Sequence, residues 1–126
     1  MSDPRDVVAR FIATVEAKDV DAAVAMLTED VSYENMPMDP IVGRDAVRAT
    51  LHGFLGAASE VDWPVHRELV AGNVVFNERL DRFKIGEGWL EIPVAGVFEV
   101  TDDGLISLWR DYFDMTTYTT QLAALS

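Results

Sequence analysis

The chain has 126 residues, a net charge of -12 at pH 7, no cysteine and a hydrophobic content of 49%. This length suits a single domain over residues 1–126 with one substantial core, and the composition is too apolar for a disordered chain. The negative charge disfavours nucleic acid and anionic membranes as partners, because both attract basic surfaces. The absence of cysteine excludes disulfides, thiolate metal sites and cysteine nucleophiles, and it agrees with a cytoplasmic protein. Neither a membrane span nor a signal peptide is expected.

Three helices are predicted in the first half of the chain. Ser2 or Asp3 can cap a helix that begins at Pro4, which is a favourable first helical residue, and Asp19 can cap a second helix. A third helix is predicted over residues 45–58. Each carries an apolar stripe at helical spacing. The stripes are Val7, Val8, Phe11, Ile12 and Val15, then Val20, Ala23, Val24 and Leu27, then Val47, Leu51, Phe54 and Leu55.

The second half of the chain alternates between apolar and polar residues, which is typical of strands. The segments Thr101–Gly104 and Gly86–Gly88 predict hairpin turns between them. Helices followed by antiparallel strands indicate an α+β fold in one continuous domain. The predicted strands cover residues 61–70, 73–85, 89–100 and 105–115, with a short strand at 31–35 before the third helix.

The last predicted strand carries an acidic residue between two large aromatic residues. Alternation places Trp109, Asp111 and Phe113 on one face. A carboxylate buried there needs a partner, and burial raises its pKa toward the range useful for proton transfer. In the alternative orientation Asp111 points outward while Arg110 and Tyr112 point inward. Partners elsewhere in the chain must decide between the two.

Two further pairs supply candidate partners for that carboxylate. Arg79 and Asp81 are two residues apart on a predicted strand, so they share a face and can form an ion pair. Tyr33 and Asn35 share a face of the short strand before the third helix. Together with the acidic residue of the last strand, they offer two carboxylates, a bridging cation, a phenol and an amide.

This combination, in this order, resembles the limonene-1,2-epoxide hydrolase family. The resemblance covers nearly the whole chain and rests on Tyr33–Pro37 with Gly43–Val47, on Glu78–Asp81 and on Trp109–Asp114, the most specific segment. It implies a nuclear-transport-factor-two-like (cystatin-like) architecture, in which a curved mixed or antiparallel sheet wraps the N-terminal helices into a cone with one deep pocket. It also implies a homodimer that associates through the open face of the sheet.

The resemblance further implies a cofactor-independent enzyme that adds water to a lipophilic epoxide and gives a vicinal diol. Asp111 would be the general base, Asp81 the general acid and Arg79 the bridge between them, while Tyr33 and Asn35 would position the water. One-step attack without a covalent intermediate is expected. A water-positioning pair would have no purpose beside a nucleophilic carboxylate, and no histidine lies on the proposed face to activate a second water.

Other functions remain open on the sequence alone. One is a ketosteroid-isomerase-like or polyketide-cyclase-like proton-transfer enzyme, and another is a non-catalytic small-ligand-binding module of the same fold. His52 and His66, without cysteine, predict no metal site. The chain also lacks a glycine-rich phosphate loop and a G-x-S-x-G elbow, so neither a nucleotide cofactor nor a serine hydrolase is indicated.

Several neighbouring residues are given secondary roles. Glu34, Glu78 and Asp114 are expected to point away from the site, and Asp114 to end its strand. The expected pocket walls include Phe83, Trp109 and either Met36 or Met38. Trp63 and Trp89 are expected in the core or the pocket wall, and Ile106 and Leu108 on an outward face that a dimer or helices could cover.

Overall fold

The computed structural model describes residues 3–125 and contains, within them, four helices and seven strands. The α+β prediction is confirmed. No helix in this part of the chain is long and apolar enough to cross a membrane. In chain order the elements are α1 (Pro4–Glu16), α2 (Val20–Ala25), β1 (Leu27–Asn35), β2 (Ile41–Val42), α3 (Arg44–Gly56), β3 (Glu60–Asp62), β4 (Val65–Ala71), β5 (Val74–Ile85), β6 (Gly88–Val100), β7 (Ile106–Tyr112) and α4 (Met115–Leu125).

All seven strands belong to one mixed sheet. Its order is β2-β1-β7-β6-β5-β3, and β4 also pairs with β5. The β1–β7 pair is parallel, whereas the other pairs are antiparallel. The sheet is curved but not closed, as the nuclear-transport-factor-two-like prediction requires. The long β5–β6 hairpin forms its centre and turns at Gly86, which has a positive φ of 62°.

The first two helices begin where the sequence predicts. Asp3 accepts a hydrogen bond from the Arg5 amide at 3.0 Å, and Asp19 accepts one from Ala22 at 3.1 Å, as helix N-caps do. The alternative cap, Ser2, lies outside the described residues. The apolar stripes of α1, α2 and α3 pack on the inner face of the sheet and form the main core. Of these stripes only Phe54 is partly exposed, at the edge of the core.

Several predicted boundaries in the first part of the chain are wrong. The second helix ends at Ala25, so Leu27 is the first residue of β1 rather than part of the helical stripe, although it is fully buried as expected. The third helix ends at Gly56. The strand predicted at 61–70 is two strands, because Trp63–Pro64 interrupts it and proline has no N–H for the ladder.

The end of the chain differs most from the prediction. The last strand stops at Tyr112 instead of continuing to residue 115, and helix α4 follows it. Asp114 caps this helix, since its Oδ2 accepts hydrogen bonds from the Thr117 amide at 3.0 Å and from the Thr117 hydroxyl at 2.7 Å. The helix was not predicted because its first two turns are rich in threonine, a β-branched residue that favours strands.

A bulge in β7 changes the expected position of Ile106. The register runs from Glu99 opposite Leu108 to Val100 opposite Ile106, so β7 has one additional residue at this point. The bulge turns Ile106 into the core, where it is fully buried, and the prediction of an outward orientation is wrong for it.

Candidate active site

Alternation along β5 and β7 brings four polar side chains to the inner face of the sheet. Asn77, Arg79 and Asp81 of β5 and Asp111 of β7 are all 5% exposed or less. The inward orientation predicted for Asp111 is therefore confirmed. Arg110 lies on the opposite face, where it forms an ion pair with a glutamate of β1.

Arg79 lies at the centre of this polar group. Its Nε and Nη2 donate to the two oxygens of Asp81, both at 2.9 Å, and Nη2 also donates to Oδ2 of Asp111 at 3.0 Å. Its Nη1 donates to Oδ1 of Asn77 at 3.0 Å. The guanidinium carbon lies 5.0 Å from the ring centre of Trp63, a distance typical of cation–π contact. One buried cation thus bridges two buried carboxylates.

A glycine makes room for this bridge. Gly96 of β6 lies opposite Asn77 on one side and opposite Asp111 on the other. A methyl group at position 96 would overlap Nη1 of Arg79, and it would lie 2.9 Å from Oδ1 of Asn77 and 3.0 Å from Oδ1 of Asp111. The missing side chain allows Arg79 to reach across β6 to the far carboxylate.

Strand β1 adds the phenol and the amide. In the parallel β1–β7 pair, Asn35 lies beside Asp111 and Tyr33 lies beside Trp109. The rings of Tyr33 and Trp109 stack with centres 3.8 Å apart and planes 11° from parallel, and Tyr33 is 4% exposed. The fold therefore brings all five residues selected from the sequence to one place.

A cavity of about 430 Å³ opens onto these groups. Tyr33, Asn35, Asp81 and Asp111 line its polar end, and Arg79 is buried behind the two carboxylates. Most of the remaining lining is aliphatic or aromatic. The size and the apolar character are typical of sites for small organic molecules.

Burial controls the protonation of the site. It raises the pKa of Asp81 to about 6 and also raises the pKa of Asp111, while the Arg79 charge opposes both shifts. Burial alone would lower the pKa of Arg79, but the two carboxylates outweigh it and keep the guanidinium charged. Burial and the nearby Asp111 raise the pKa of Tyr33, which therefore remains a phenol. The two carboxyl groups can thus retain a proton at higher pH than in water.

The two oxygens of Asp111 differ in their surroundings. Oδ2 accepts from Arg79, whereas Oδ1 has no hydrogen-bond partner among residues 3–125. The indole N–H of Trp109 is close enough to lower the pKa of Asp111, but it lies outside hydrogen-bond geometry. Asp111 lines the cavity, and its oxygen without a partner can accept one further hydrogen bond.

The comparison with protein families agrees with this geometry. The model of the limonene-1,2-epoxide hydrolase catalytic domain matches residues 2–124. The chain belongs to the limonene-1,2-epoxide hydrolase family. The family predicted from the three sequence segments is thereby confirmed.

Individual relatives support the same assignment. Epoxide hydrolase EphG of Mycobacterium tuberculosis is 37% identical over 83% of this chain and 69% of its own length. The structure of an LEH-like epoxide hydrolase of M. tuberculosis superposes with a TM-score of 0.82 at 33% identity, covering 95% of this chain and 89% of the other. The epoxide hydrolase/cyclase-like enzyme SalBIII, connected with pyran ring formation in salinomycin, superposes with a TM-score of 0.81 at 26% identity. The superposition covers 90% of this chain and 92% of the other.

The fold itself extends beyond epoxide hydrolases. A SnoaL-like protein from Shewanella putrefaciens superposes with a TM-score of 0.85 over 98% of each chain at only 16% identity. Such a likeness concerns the backbone alone. It agrees with the wider fold class predicted from the sequence.

The cavity walls of this limonene-1,2-epoxide hydrolase family member agree only partly with the sequence prediction. Phe83, Trp63 and Met38 line the cavity. Trp109 does not, because Tyr33 stacks on it and separates it from the space. Met36 is exposed and Trp89 packs on Arg82, so neither lines the cavity. Glu34 and Glu78 point away from the site as predicted, and they pair with Arg110 and Arg67.

Three parts of the site were not identified from the sequence. Asn77 shares its face with Arg79, and alternation places it there, but no role was assigned to it. Gly96 gave no signal, because its importance depends on the register between β5, β6 and β7. Helix α4, which supplies Tyr118 and Leu122 to the cavity lining, was not predicted at all.

Proposed function

We propose that this chain adds water to a lipophilic epoxide in a single acid–base step and releases a vicinal diol. The observation that carries the proposal is the pair of buried carboxylates, Asp81 and Asp111, bridged by Arg79 at the polar end of an apolar cavity. Ring opening requires a proton on the departing oxygen and a base on the attacking water, because an alkoxide leaves poorly. A carboxylic acid and a carboxylate in one site meet both needs.

Asp111 is the proposed base. Its Oδ2 is held by Arg79, while Oδ1 has no hydrogen-bond partner among residues 3–125 and can accept a proton from water. Asn35, beside it in the sheet, and the Tyr33 hydroxyl can each hydrogen-bond to that water. Holding the water at such a point reduces the entropy lost on reaching the transition state.

Asp81 is the proposed acid. Burial raises its pKa to about 6, so it keeps a proton at a higher pH than an exposed aspartate would. Each of its oxygens accepts one hydrogen bond from Arg79, which leaves a second lone pair that can carry the proton. Arg79 also prevents the pair from burying two uncompensated negative charges.

The bonds and protons balance in one step. The water oxygen bonds to an epoxide carbon and gives a proton to Asp111, while the carbon–oxygen bond of the ring breaks and the ring oxygen takes the proton of Asp81. The proton has then moved from one carboxyl group to the other. Exchange with solvent after diol release restores the starting state.

The cavity favours a lipophilic substrate. Its walls include Phe83, Leu90, Ile92 and Val94, whose side chains offer no hydrogen bonds. An epoxide with a hydrocarbon body gains free energy when it leaves water for such a space. The volume of about 430 Å³ accommodates a small organic molecule.

The proposal is tested by incubating the purified protein with a panel of aliphatic, cyclic and aryl epoxides and measuring diol by mass spectrometry. Diol should form with at least one member. Asp111→Asn should slow diol formation by at least about a hundredfold, whereas Glu78→Gln, which changes an exposed carboxylate on the other face of β5, should behave as the wild type. If folded wild-type protein gives no diol from any epoxide, the chain is not an epoxide hydrolase of this type.

We also propose that two copies of the chain associate through the outer face of the sheet. Leu69, Phe76 and Tyr112 lie on that face and are 76%, 53% and 43% exposed. Leu69 and Phe76 are cross-strand neighbours, and such a patch on a soluble protein is typical of an interface. Sedimentation should give the mass of two chains for the wild type and of one chain for Phe76→Glu. A wild-type mass of one chain would contradict the proposal.

A further inference from the structure

One side of the cavity is lined by the last helix and the segment before it. Phe113, Tyr118 and Leu122 line the cavity from this side. The rings of Phe113 and Tyr118 meet edge to face with centres 6.3 Å apart. None of the residues of α4 is fully buried. The helix therefore lies on the protein surface, and its inner side faces the space where a substrate would bind.

This helix packs against the edge of β6 that is not paired with β5. Strand β7 pairs with β6 only from Ala95 to Val100, so the first half of β6 has no strand on that side. Gln121 of α4 occupies this edge. Its Oε1 accepts a hydrogen bond from the Glu91 amide at 2.7 Å, and its Nε2 donates to the Glu91 carbonyl at 2.8 Å. The side-chain amide takes the place of a neighbouring peptide group.

These two bonds are the directional contacts between α4 and the sheet. Within residues 3–125, Gln121 makes the only side-chain hydrogen bonds found between α4 and the sheet. The other contacts of the helix are apolar and involve the cluster of Leu90, Ile92 and Val94, which lines the same cavity. Apolar contacts are non-directional and allow sliding, whereas a pair of hydrogen bonds fixes both distance and orientation.

We propose that Gln121 is a positioning residue that holds α4 at a fixed distance from β6 and thereby sets the length of the apolar tail that the site accepts. The expected effect of Gln121 on turnover rests on the proposed epoxide hydrolysis. The hydrogen bonds between Gln121 and Glu91 do not depend on that proposal. Asp81 and Asp111, at the reacting end of the cavity, lie on β5 and β7, and the hydrogen bonds that hold them come from Arg79 rather than from α4. Loss of Gln121 should therefore affect long substrates and leave short ones unchanged.

The kinetic test uses straight-chain terminal epoxides from 1,2-epoxybutane to 1,2-epoxydodecane with Gln121→Ala, Gln121→Glu and the control Thr120→Ala. Alanine favours the helix, so neither alanine variant weakens α4 itself. For the longest epoxides KM should rise roughly tenfold in Gln121→Ala, the effect of losing one or two net hydrogen bonds. For 1,2-epoxybutane, kcat and KM should remain those of the wild type. Thr120, exposed on the same helix, should have no effect.

Gln121→Glu distinguishes the effect of the two hydrogen bonds to Glu91, here called the tether, from the effect of side-chain volume. An ionised glutamate can accept from the Glu91 amide but cannot donate to its carbonyl, and it brings a negative charge against that oxygen. It should therefore resemble Gln121→Ala although it is nearly isosteric with glutamine. Wild-type behaviour of Gln121→Glu toward every epoxide would overturn the proposal.

A second measurement does not depend on turnover. Hydrogen exchange at the Glu91 amide, followed by NMR, should accelerate in Gln121→Ala, while exchange at the buried Phe98 amide should not change. Unchanged exchange at Glu91 would show that the tether is absent in solution. Faster exchange with an unaltered chain-length profile would overturn the positioning role.

If no epoxide is hydrolysed, the proposed function fails but this inference can still be tested. The chain-length profile is then measured by calorimetric binding of the corresponding 1,2-diols to wild-type and Gln121→Ala protein. A selective loss of affinity for the longest diols would support the inference. An equal change at all lengths, or none, would contradict it.

Discussion

Nη2 of Arg79 lies 3.0 Å from Oδ2 of Asp111, although β6 separates their two strands and 32 positions separate them in the sequence. The arginine reaches the distant carboxylate by passing over Gly96. The same Nη2 also donates to Asp81, so a single nitrogen connects the two carboxyl groups. A change at any of these positions should affect the others, because they share one hydrogen-bond network.

The first prediction concerns the two carboxyl groups. Asp81→Asn and Asp111→Asn should each lower kcat by about a hundredfold to ten-thousandfold, the range typical of a lost general acid or base. Asparagine is nearly isosteric with aspartate, so both variants should remain folded by circular dichroism. Turnover of Asp111→Asn within tenfold of the wild type would exclude Asp111 as the base.

The second prediction concerns the space above Gly96. Gly96→Ala should lower kcat by at least roughly a hundredfold, because the methyl group displaces Arg79 from one or both carboxylates. Overpacking of this kind also costs about 1–3 kcal/mol of stability, which urea unfolding can measure. Gly56→Ala is the matched control. A methyl group there meets no atom within 4 Å, and its activity should equal that of the wild type.

The outcome for Gly96→Ala separates two explanations of this glycine. If β6 merely tolerates glycine at position 96, the alanine variant should lose neither activity nor stability. If the glycine is required by Arg79, both should fall together. Normal kcat in a stable Gly96→Ala protein would show that Arg79 can bridge the carboxylates by another path.

The third prediction concerns stability and pH. Burial raises the pKa of Asp81 from 3.8 to about 6, so the folded state binds this proton more tightly than the unfolded state does. Its contribution to stability is complete below about pH 4 and is lost as the pH rises through about 6. Relative to Asp81→Asn, the wild type should therefore lose roughly 1–3 kcal/mol of unfolding free energy over that interval.

Comparison with the asparagine variant is necessary because other carboxylates act in the opposite direction. Arg110 lowers the pKa of Glu34, and Thr117 lowers that of Asp114, so their contributions are lost as the pH falls. Both groups are present in the two proteins, so their contributions cancel, and the difference reports on Asp81 together with Asp111, the other carboxyl group bound to Arg79. A difference that stays constant from pH 4 to pH 7, measured by urea unfolding, would show that burial does not raise the pKa of this carboxyl pair.

Much of the site could be predicted from alternation alone. A period of two places Arg79 with Asp81, Tyr33 with Asn35, and Asp111 with its aromatic neighbours, and the structure keeps each of these groupings. Alternation is a local property of the strand backbone. The sequence therefore predicts which residues share a face wherever one face of the strand is buried. It holds wherever a strand is regular.

What escaped prediction depends on relations between distant segments. The role of Gly96 requires the register of three strands, and alternation within β6 does not contain it. The bulge that buries Ile106 adds one residue to β7 and reverses the phase of alternation before it. Helix α4 is rich in threonine and buries no residue fully, so its helical form depends on the Asp114 cap and on packing against β6.

The last prediction separates direct attack by water from covalent catalysis. If a carboxylate attacked the epoxide, an ester would form, and the first diol would carry an oxygen from Asp81 or Asp111. Asp111 instead lies next to Asn35 in the sheet and lines the same cavity as Tyr33, so these two residues can hold a water for it to deprotonate. One turnover in oxygen-18 water, with enzyme in excess over epoxide, should therefore give labelled diol at once. An unlabelled first diol, with oxygen-18 later found in either aspartate by peptide mass spectrometry, would establish the covalent route and leave epoxide hydrolysis itself unaffected.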